Sequence, residues 1–207
     1  MTATPLRTIV KGIWSDIFIG RDTEAPSLRV TPIGDSGTAI SVDQYSGAVG
    51  VIEQEHLKIH EGKGYTVGAR FTIGNGGGTY DFLGIVPAGV YPHFRTMAVS
   101  LDDGPFDIDF YEAATVSANG TAVTANNNNR NSTNTPDLDI YDSPTVTTVG
   151  NLLEPVLVPS VNKIGALGVG ASNEWILKES TIYLIRVTNN TSGSGTSRGS
   201  ANMFWYE

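Results

Sequence analysis

The segment FDIDFYE (residues 106–112) sets Phe106, Ile108 and Phe110 against Asp107, Asp109 and Tyr111. Successive side chains of a strand point to opposite faces, so a period of two makes one face apolar and the other polar. The segment reads as a half-buried β-strand. DDGP (102–105) in front of it is a strong turn signal, and HFRTMAVSL (93–101) before the turn is another strand candidate. Further upstream, GYTVGARFTI (64–73) alternates Tyr65, Val67, Ala69, Phe71 and Ile73 with polar or small residues, followed by the turn NGGG (75–78) and the strand YDFLGIV (80–86).

Downstream, NNNNRNSTN (126–134) is too polar to bury and is expected to be a long exposed loop. LDIYD and TVTTV are short strands flanking Ser143 and Pro144, and residues 152–171 carry no pattern that selects an element. Tyr183, Ile185 and Val187 share one face of a long strand inside EWILKESTIYLIRVTN (174–189). NTSGSGTSRGS is expected to be flexible, and the terminal ANMFWYE to be a strand that seals the sheet. Short strands with turns between them predict an all-β fold, an antiparallel β-sandwich over residues 55–207 with a jelly roll as the preferred form. No internal repeat stands out. Residues 1–54 lack a sustained period, with only Leu28 to Ile33 reading as a strand, and predict an irregular N-terminal arm or small appendage.

Composition narrows the function classes. The chain holds 24 Gly and 10 Pro among 207 residues, which favours turns over long helices. Its net charge of −8, with only 13 Lys and Arg, argues against nucleic acid as a partner. It has no cysteine, which excludes disulfides and thiolate metal sites. The N-terminus lacks a continuous apolar core, and the longest apolar run, Phe82 to Pro92, is too short to cross a bilayer. The expectation is a soluble, non-secreted product with no membrane partner.

Chemistry-bearing residues are few. His56 and His60 in EHLKIHE would suit a metal if they stood on a helix. Their neighbours favour an extended chain, where about 13 Å would separate them, too far to share one ion. Asp107 and Asp109 share a strand face roughly 6.6 Å apart along the chain, within the spacing glycosidases use. The polar face of an amphipathic strand explains them without catalysis. NGGGTY and GALGVGAS are turns, since neither runs on to the Lys-Ser/Thr of a phosphate loop. The sequons at Asn119, Asn131 and Asn189 are expected by chance in a chain this rich in Asn and Thr. No catalytic, cofactor-binding or metal-ligating residue is assigned.

Three stretches carry a resemblance: EHLKIHEGKGYTV (55–67), the run from Phe106 to Leu153, and the final portion from ASNEWILKESTIYLIRVTNN to FWYE. The middle one has a strand ending in Tyr-Glu, a Gly-Thr turn, an "NNNRNS" loop and a TVT strand, and the last has a "Tyr-Leu-x-Arg" strand. Together they resemble the bacteriophage virion proteins that decorate or cement the outer capsid. The resemblance implies a β-sandwich homotrimer on the outer capsid surface, made in the host cytoplasm, with the major capsid protein as partner, no enzymatic activity and no cofactor. It transfers no functional residue. The apolar N-terminal region supplies candidate attachment anchors, Trp14 and Phe18, that would reach the capsid or a neighbouring subunit. A tail or baseplate component is the alternative, binding glycans through Trp14, Trp175 or Trp205. A jelly-roll enzyme is the third reading.

Overall fold

In the computed structural model the alternation of residues 106–112 becomes burial: Phe106 and Ile108 are fully buried and Phe110 nearly so, while Asp107, Asp109 and Tyr111 stay partly exposed. The structure describes residues 54–159, 164–167 and 174–207, together with three strands near the N-terminus. The chain divides into two compact units, residues 1–53 and 54–207.

In the first unit, β1 (Leu6–Val10) pairs antiparallel with β2 (Ile13–Gly20), which pairs with β3 (Ser27–Arg29). The expectation of an irregular arm with one strand at Leu28 to Ile33 therefore needs correction. IWSDIFIG has apolar residues at both odd and even positions, so it shows no period of two although it is a strand. Of the strand expected at 28–33, Leu28 and Arg29 belong to β3 and residues 30–33 lie outside the described residues.

The second unit opens with a helix, α1 (Gln54–His60), followed by β4 (Gly64–Gly74), β5 (Gly78–Val86), β6 (His93–Leu101) and β7 (Phe106–Glu112). Next come β8 (Thr115–Ala118), β9 (Thr121–Ala122), β10 (Asn126–Asn127), β11 (Asp139–Asp142) and β12 (Thr145–Thr148). The chain ends with β13 (Asn151–Val158), β14 (Ile164–Leu167), β15 (Trp175–Ile176), β16 (Thr181–Asn189) and β17 (Thr196–Tyr206). One sheet has the order β10-β4-β17-β6-β14, with β15 also on β6; the other runs β13-β7-β16-β5-β11-β9. Every pairing is antiparallel.

The inner faces of the two sheets share one core, so the unit is an antiparallel β-sandwich. Phe94 stacks on Phe110 across it, with ring centroids 5.6 Å apart, and Phe71 meets Phe82 edge-on at 5.9 Å. Residues 152–171, which showed no pattern, hold β14 and all of β13 but its first residue; β13 carries apolar residues on both faces.

The terminal aromatic strand is longer and more central than its composition suggests. β17 starts at Thr196 inside the Ser- and Gly-rich stretch expected to be flexible, and it pairs with both β4 and β6. Its small residues serve packing. A methyl group on Gly199 would stand 2.4 Å from the Phe71 ring, so glycine makes room for that ring against the sheet. Ser197 is buried and donates to Asn75 Oδ1 at 2.9 Å. Trp205 and Tyr206 are buried, whereas Phe204 faces outward and is only partly covered.

Trp205→Ala should therefore destabilise the protein by about 3–5 kcal/mol, as aromatic truncation in a core does, and Phe204→Ala by much less. Urea unfolding of both variants checks this; equal losses would contradict the burial difference.

Candidate functional site

The EHLKIHE segment folds as α1, not as the extended chain expected. Glu55 stands in its first turn, where it favours the helix dipole, and its carboxylate lies 3.2 Å from Arg95 Nε on β6. This contact to the sheet is invisible to local periodicity. On the helix His56 and His60 are one turn apart. Their Nε2 atoms are 2.9 Å apart on an exposed face.

Behind α1 lies the Asn-rich segment, and its reading as a purely exposed loop is also corrected. Asn126 and Asn127 form β10 against β4, and Asn127 is buried. The Asn127 amide donates to the carbonyls of Gly62 (2.8 Å) and Asn134 (3.1 Å), and its Oδ1 accepts from the Asn129 N–H at 2.9 Å. Asn129 Nδ2 reaches the His60 carbonyl at 3.1 Å, closing the loop on the helix end. Gly62, at φ +71°, sits so close that an added methyl would lie 2.2 Å from Ser132 Oγ. The asparagines are thus spent inside the fold, on backbone groups that a polar-loop reading leaves out.

Two further segments repeat each other. YEAATVSANGT (111–121) and YDSPTVTTVGN (141–151) match at Tyr, acid, Thr, Val and Gly, thirty positions apart. Ala113 and Ser143 both have positive φ, at 61° and 52°, and each turns its chain out of the second sheet into β8 or β12. β8 and β12 pair over that sheet's outer face, and Val116 and Val146 pack there with Leu83, Ala114 and Leu184 in a second, smaller core. The contacts are reciprocal. Gly120 approaches the Asp142 carbonyl, where a methyl would stand at 2.0 Å, and Gly150 approaches the Glu112 carbonyl at 2.2 Å. The absence of an internal repeat is corrected accordingly: the repeat is short, and its invariant positions are turns and packing residues.

Polar side chains gather at one further place. Glu174 accepts from His93 Nδ1, from Arg95 at 3.0 Å and from the Tyr206 hydroxyl at 2.6 Å. His93 stacks on the Tyr206 ring, with centroids 4.7 Å apart. Burial acts to raise the Glu174 carboxyl, but the bonds from Tyr206, His93 and Arg95 outweigh it and hold it below the usual carboxylate range. Burial, then the bond to Glu174, pushes the Tyr206 hydroxyl up to about 12. Tyr183, whose hydroxyl donates to Glu112 at 3.0 Å, is likewise raised to about 12, chiefly by burial.

The other residues singled out in the sequence fall apart from one another. Asp107 accepts from Asn190, and Asp109 from Tyr111. Trp205 is in the core, and Trp175 is half-buried with its indole N–H on Glu154 at 3.1 Å. Trp14 and Phe18 both stand on β2, at same-phase positions opposite Ile9 and Arg29. Asn189 is fully buried and bonded to Asn75 and Ser197, whereas Asn119 and Asn131 are exposed. The large exposed apolar side chains include Leu152 and Leu157 on β13 and Ile176 on β15. An open groove of about 650 Å³ runs past Lys63, Tyr91, Asn134, Asp137 and Glu207. No family model, curated protein or solved structure matches the chain.

Gly120→Ala and Gly150→Ala should each destabilise by at least about 1–2 kcal/mol, because both combine a left-handed backbone with a carbonyl clash. Gly77→Ala, at φ +92° with open space around it, isolates the backbone contribution and should cost less; thermal unfolding of the three variants tests the ordering. Stability should also depend on alkaline pH. Tyr183 and Tyr206 keep their protons up to about 12 when folded, against 10.0 for an ordinary tyrosine. The unfolded chain therefore binds fewer protons in that window, so the contribution is complete below pH 10 and is lost as pH rises through about 12. Denaturant titrations across this range should show the decline, and Tyr206→Phe should make it shallower.

Proposed function

We propose that this chain is a non-enzymatic structural protein of a bacteriophage virion, a jelly-roll sandwich that binds the outer capsid as a homotrimer and cements it. The observation that carries this reading is how the resembling segments are used. The Tyr-Glu pair ends β7 and binds Tyr183 through Glu112; the "NNNRNS" loop ties β4 to α1. In the "Tyr-Leu-x-Arg" strand Leu184 lies beneath the β8–β12 ribbon, and Arg186 makes a two-pronged pair with Asp81 at 2.7 and 2.8 Å. Residues so used specify a scaffold and leave its surface free to match a partner, as decoration requires.

The strand order supports the jelly-roll form. With the short strands β8 to β12 and β15 set aside and the other eight of this unit, β4, β5, β6, β7, β13, β14, β16 and β17, numbered one to eight, the sheets read 1-8-3-6 and 2-7-4-5. That is the order produced when an antiparallel ribbon is wound around a barrel. The joining surface is supported by β13, an edge strand on which Leu152 and Leu157 are 51% and 76% exposed. An apolar edge of this kind suits contact with another chain. In this reading the major capsid protein is the partner, and Trp14 and Phe18 of β2 are attachment anchors. A glycan-binding tail component is favoured by one feature, the exposed Tyr91 beside the open groove.

Cosedimentation of the full chain with capsids that lack it, from the phage that encodes it, tests the proposal. Saturable binding, weakened in a Trp14→Ala/Phe18→Ala variant, is expected, together with a solution mass near 66 kDa, three times 22.0 kDa. A chain that stays in the supernatant while electron microscopy places it on the tail would sink the capsid reading.

A further inference from the structure

We propose that His56 and His60 form a bidentate surface site for a late first-row divalent metal ion, with Cu²⁺ held most tightly. Three observations carry this. The two imidazoles are one helical turn apart on α1, the spacing that aims two side chains at a common point. Their Nε2 atoms already converge to 2.9 Å, with the rings at 76° to one another and centroids 4.6 Å apart. Both rings are exposed, so an ion reaches them without opening the fold.

The separation matches coordination geometry. Two imidazole nitrogens bound at about 2.05 Å lie about 2.9 Å apart when they meet the ion at a right angle, and about 3.3 Å apart at the tetrahedral angle. The observed distance is that of adjacent positions in a tetragonal or octahedral field, which Cu²⁺ and Ni²⁺ favour, and a small ring rotation reaches the tetrahedral spacing of Zn²⁺. Imidazole is a suitable ligand for all three ions, and the stability order peaks at copper.

Without metal, the short contact is an Nε2–H on one ring donating to the bare Nε2 of the other. Metal binding needs both lone pairs, so the donor ring moves to its Nδ1–H tautomer and the ion takes the place of the shared proton. The groups around the pair suit a cation. The chain carries a net charge of −8, and the neighbouring Lys58 is occupied by Glu61 at 3.5 Å. The backbone under the site is held: the His60 carbonyl accepts from Asn129, and Glu55 ties the first turn to Arg95.

Among the described residues no third His, Asp or Glu joins the pair, so water or an added ligand fills the remaining positions. The site is therefore a chelating clip on a seven-residue helix, and not a closed structural centre. Closing a ring across one turn also stabilises a helix too short to persist alone.

Isothermal titration of the full chain with CuCl₂, NiCl₂ and ZnCl₂ in a non-coordinating buffer tests the site. The expected result is saturable binding with at most one ion per chain, tightest for Cu²⁺, and a rise in thermal midpoint when Cu²⁺ is added. His56→Ala, His60→Ala and His60→Gln should each lose the binding and the rise, while keeping the metal-free circular dichroism spectrum. Absence of Cu²⁺ binding to the wild-type chain, or binding by either alanine variant as tight as wild type, would overturn the proposal.

Discussion

The final strand of the chain lies in the middle of its sheet, and the rest of the sandwich depends on that placement. β17 hydrogen-bonds to β4 on one side and β6 on the other, so neither completes its pairing without this eleven-residue strand. The partners are distant along the chain: Tyr206 pairs with Gly64 and Thr196 with Gly74. The loop-closure entropy of these contacts must be met before the core rewards it, which makes such a topology slow to fold. Trp205 and Met203 then sit on the core side of this strand, where they join Tyr65 and Met97. The same strand carries Tyr206 to Glu174, and Glu207 beyond it accepts the N–H groups of Asp137 and Leu138.

The two outer faces of the sandwich are treated differently. The outer face of the second sheet is apolar enough at Leu83, Leu184 and Ile182 to need a cover, and the β8–β12 ribbon supplies it. The cover forms because Ala113 and Ser143 turn two strands out of their sheet at equivalent points, and two glycines let the paired strands come close. Thr115 and Thr148 finish the ribbon with a hydroxyl pair at 2.8 Å on its exposed side. The first sheet instead shows solvent a hydroxyl-rich surface, with Ser100 and Ser200 bonded across strands at 2.8 Å. The sandwich therefore has one hydroxyl-rich face and one face capped by a ribbon.

What the residues alone could reveal follows from the range of the forces involved. FDIDFYE is legible because one face meets the core and the other meets the Arg186, Asp81 and Asp109 layer, so burial imposes a period of two directly on the sequence; STIYLIRV has the same core face at Tyr183, Ile185 and Val187, but its other face carries Ile182 and Leu184 under the ribbon. β17 is legible only in its aromatic half, because Gly199 is selected by the bulk of the neighbouring Phe71 ring and Ser197 by its bond to Asn75, neither of which shows in the local sequence. α1 is too short to display a helical period, and its support comes from Arg95 on β6 and from the Asn127–Asn134 loop, both remote in sequence. The His56–His60 geometry was therefore out of reach, since it exists only if that helix forms. The thirty-residue repeat is visible in the letters, but its meaning rests on positive φ at Ala113 and Ser143, residues that carry no mark of it.

The distribution of bonded and free groups constrains where a partner can be recognised. Asn127, Glu112, Arg186 and Glu174 each make fold-internal hydrogen bonds, and replacing any of them would leave a partly buried polar group unmet. Such positions tolerate little change, whatever the protein binds. Leu152, Leu157 and Ile176 are under no such demand, since their side chains are more than half exposed and the strands that bear them hold their register through backbone pairing to β7 and β6. Water contact makes a solvated Leu unfavourable in isolation, and an edge strand that carries two of them invites association. The scaffold thus separates its groups: buried amides and carboxylates set the fold, while these apolar side chains on the strands stay exposed.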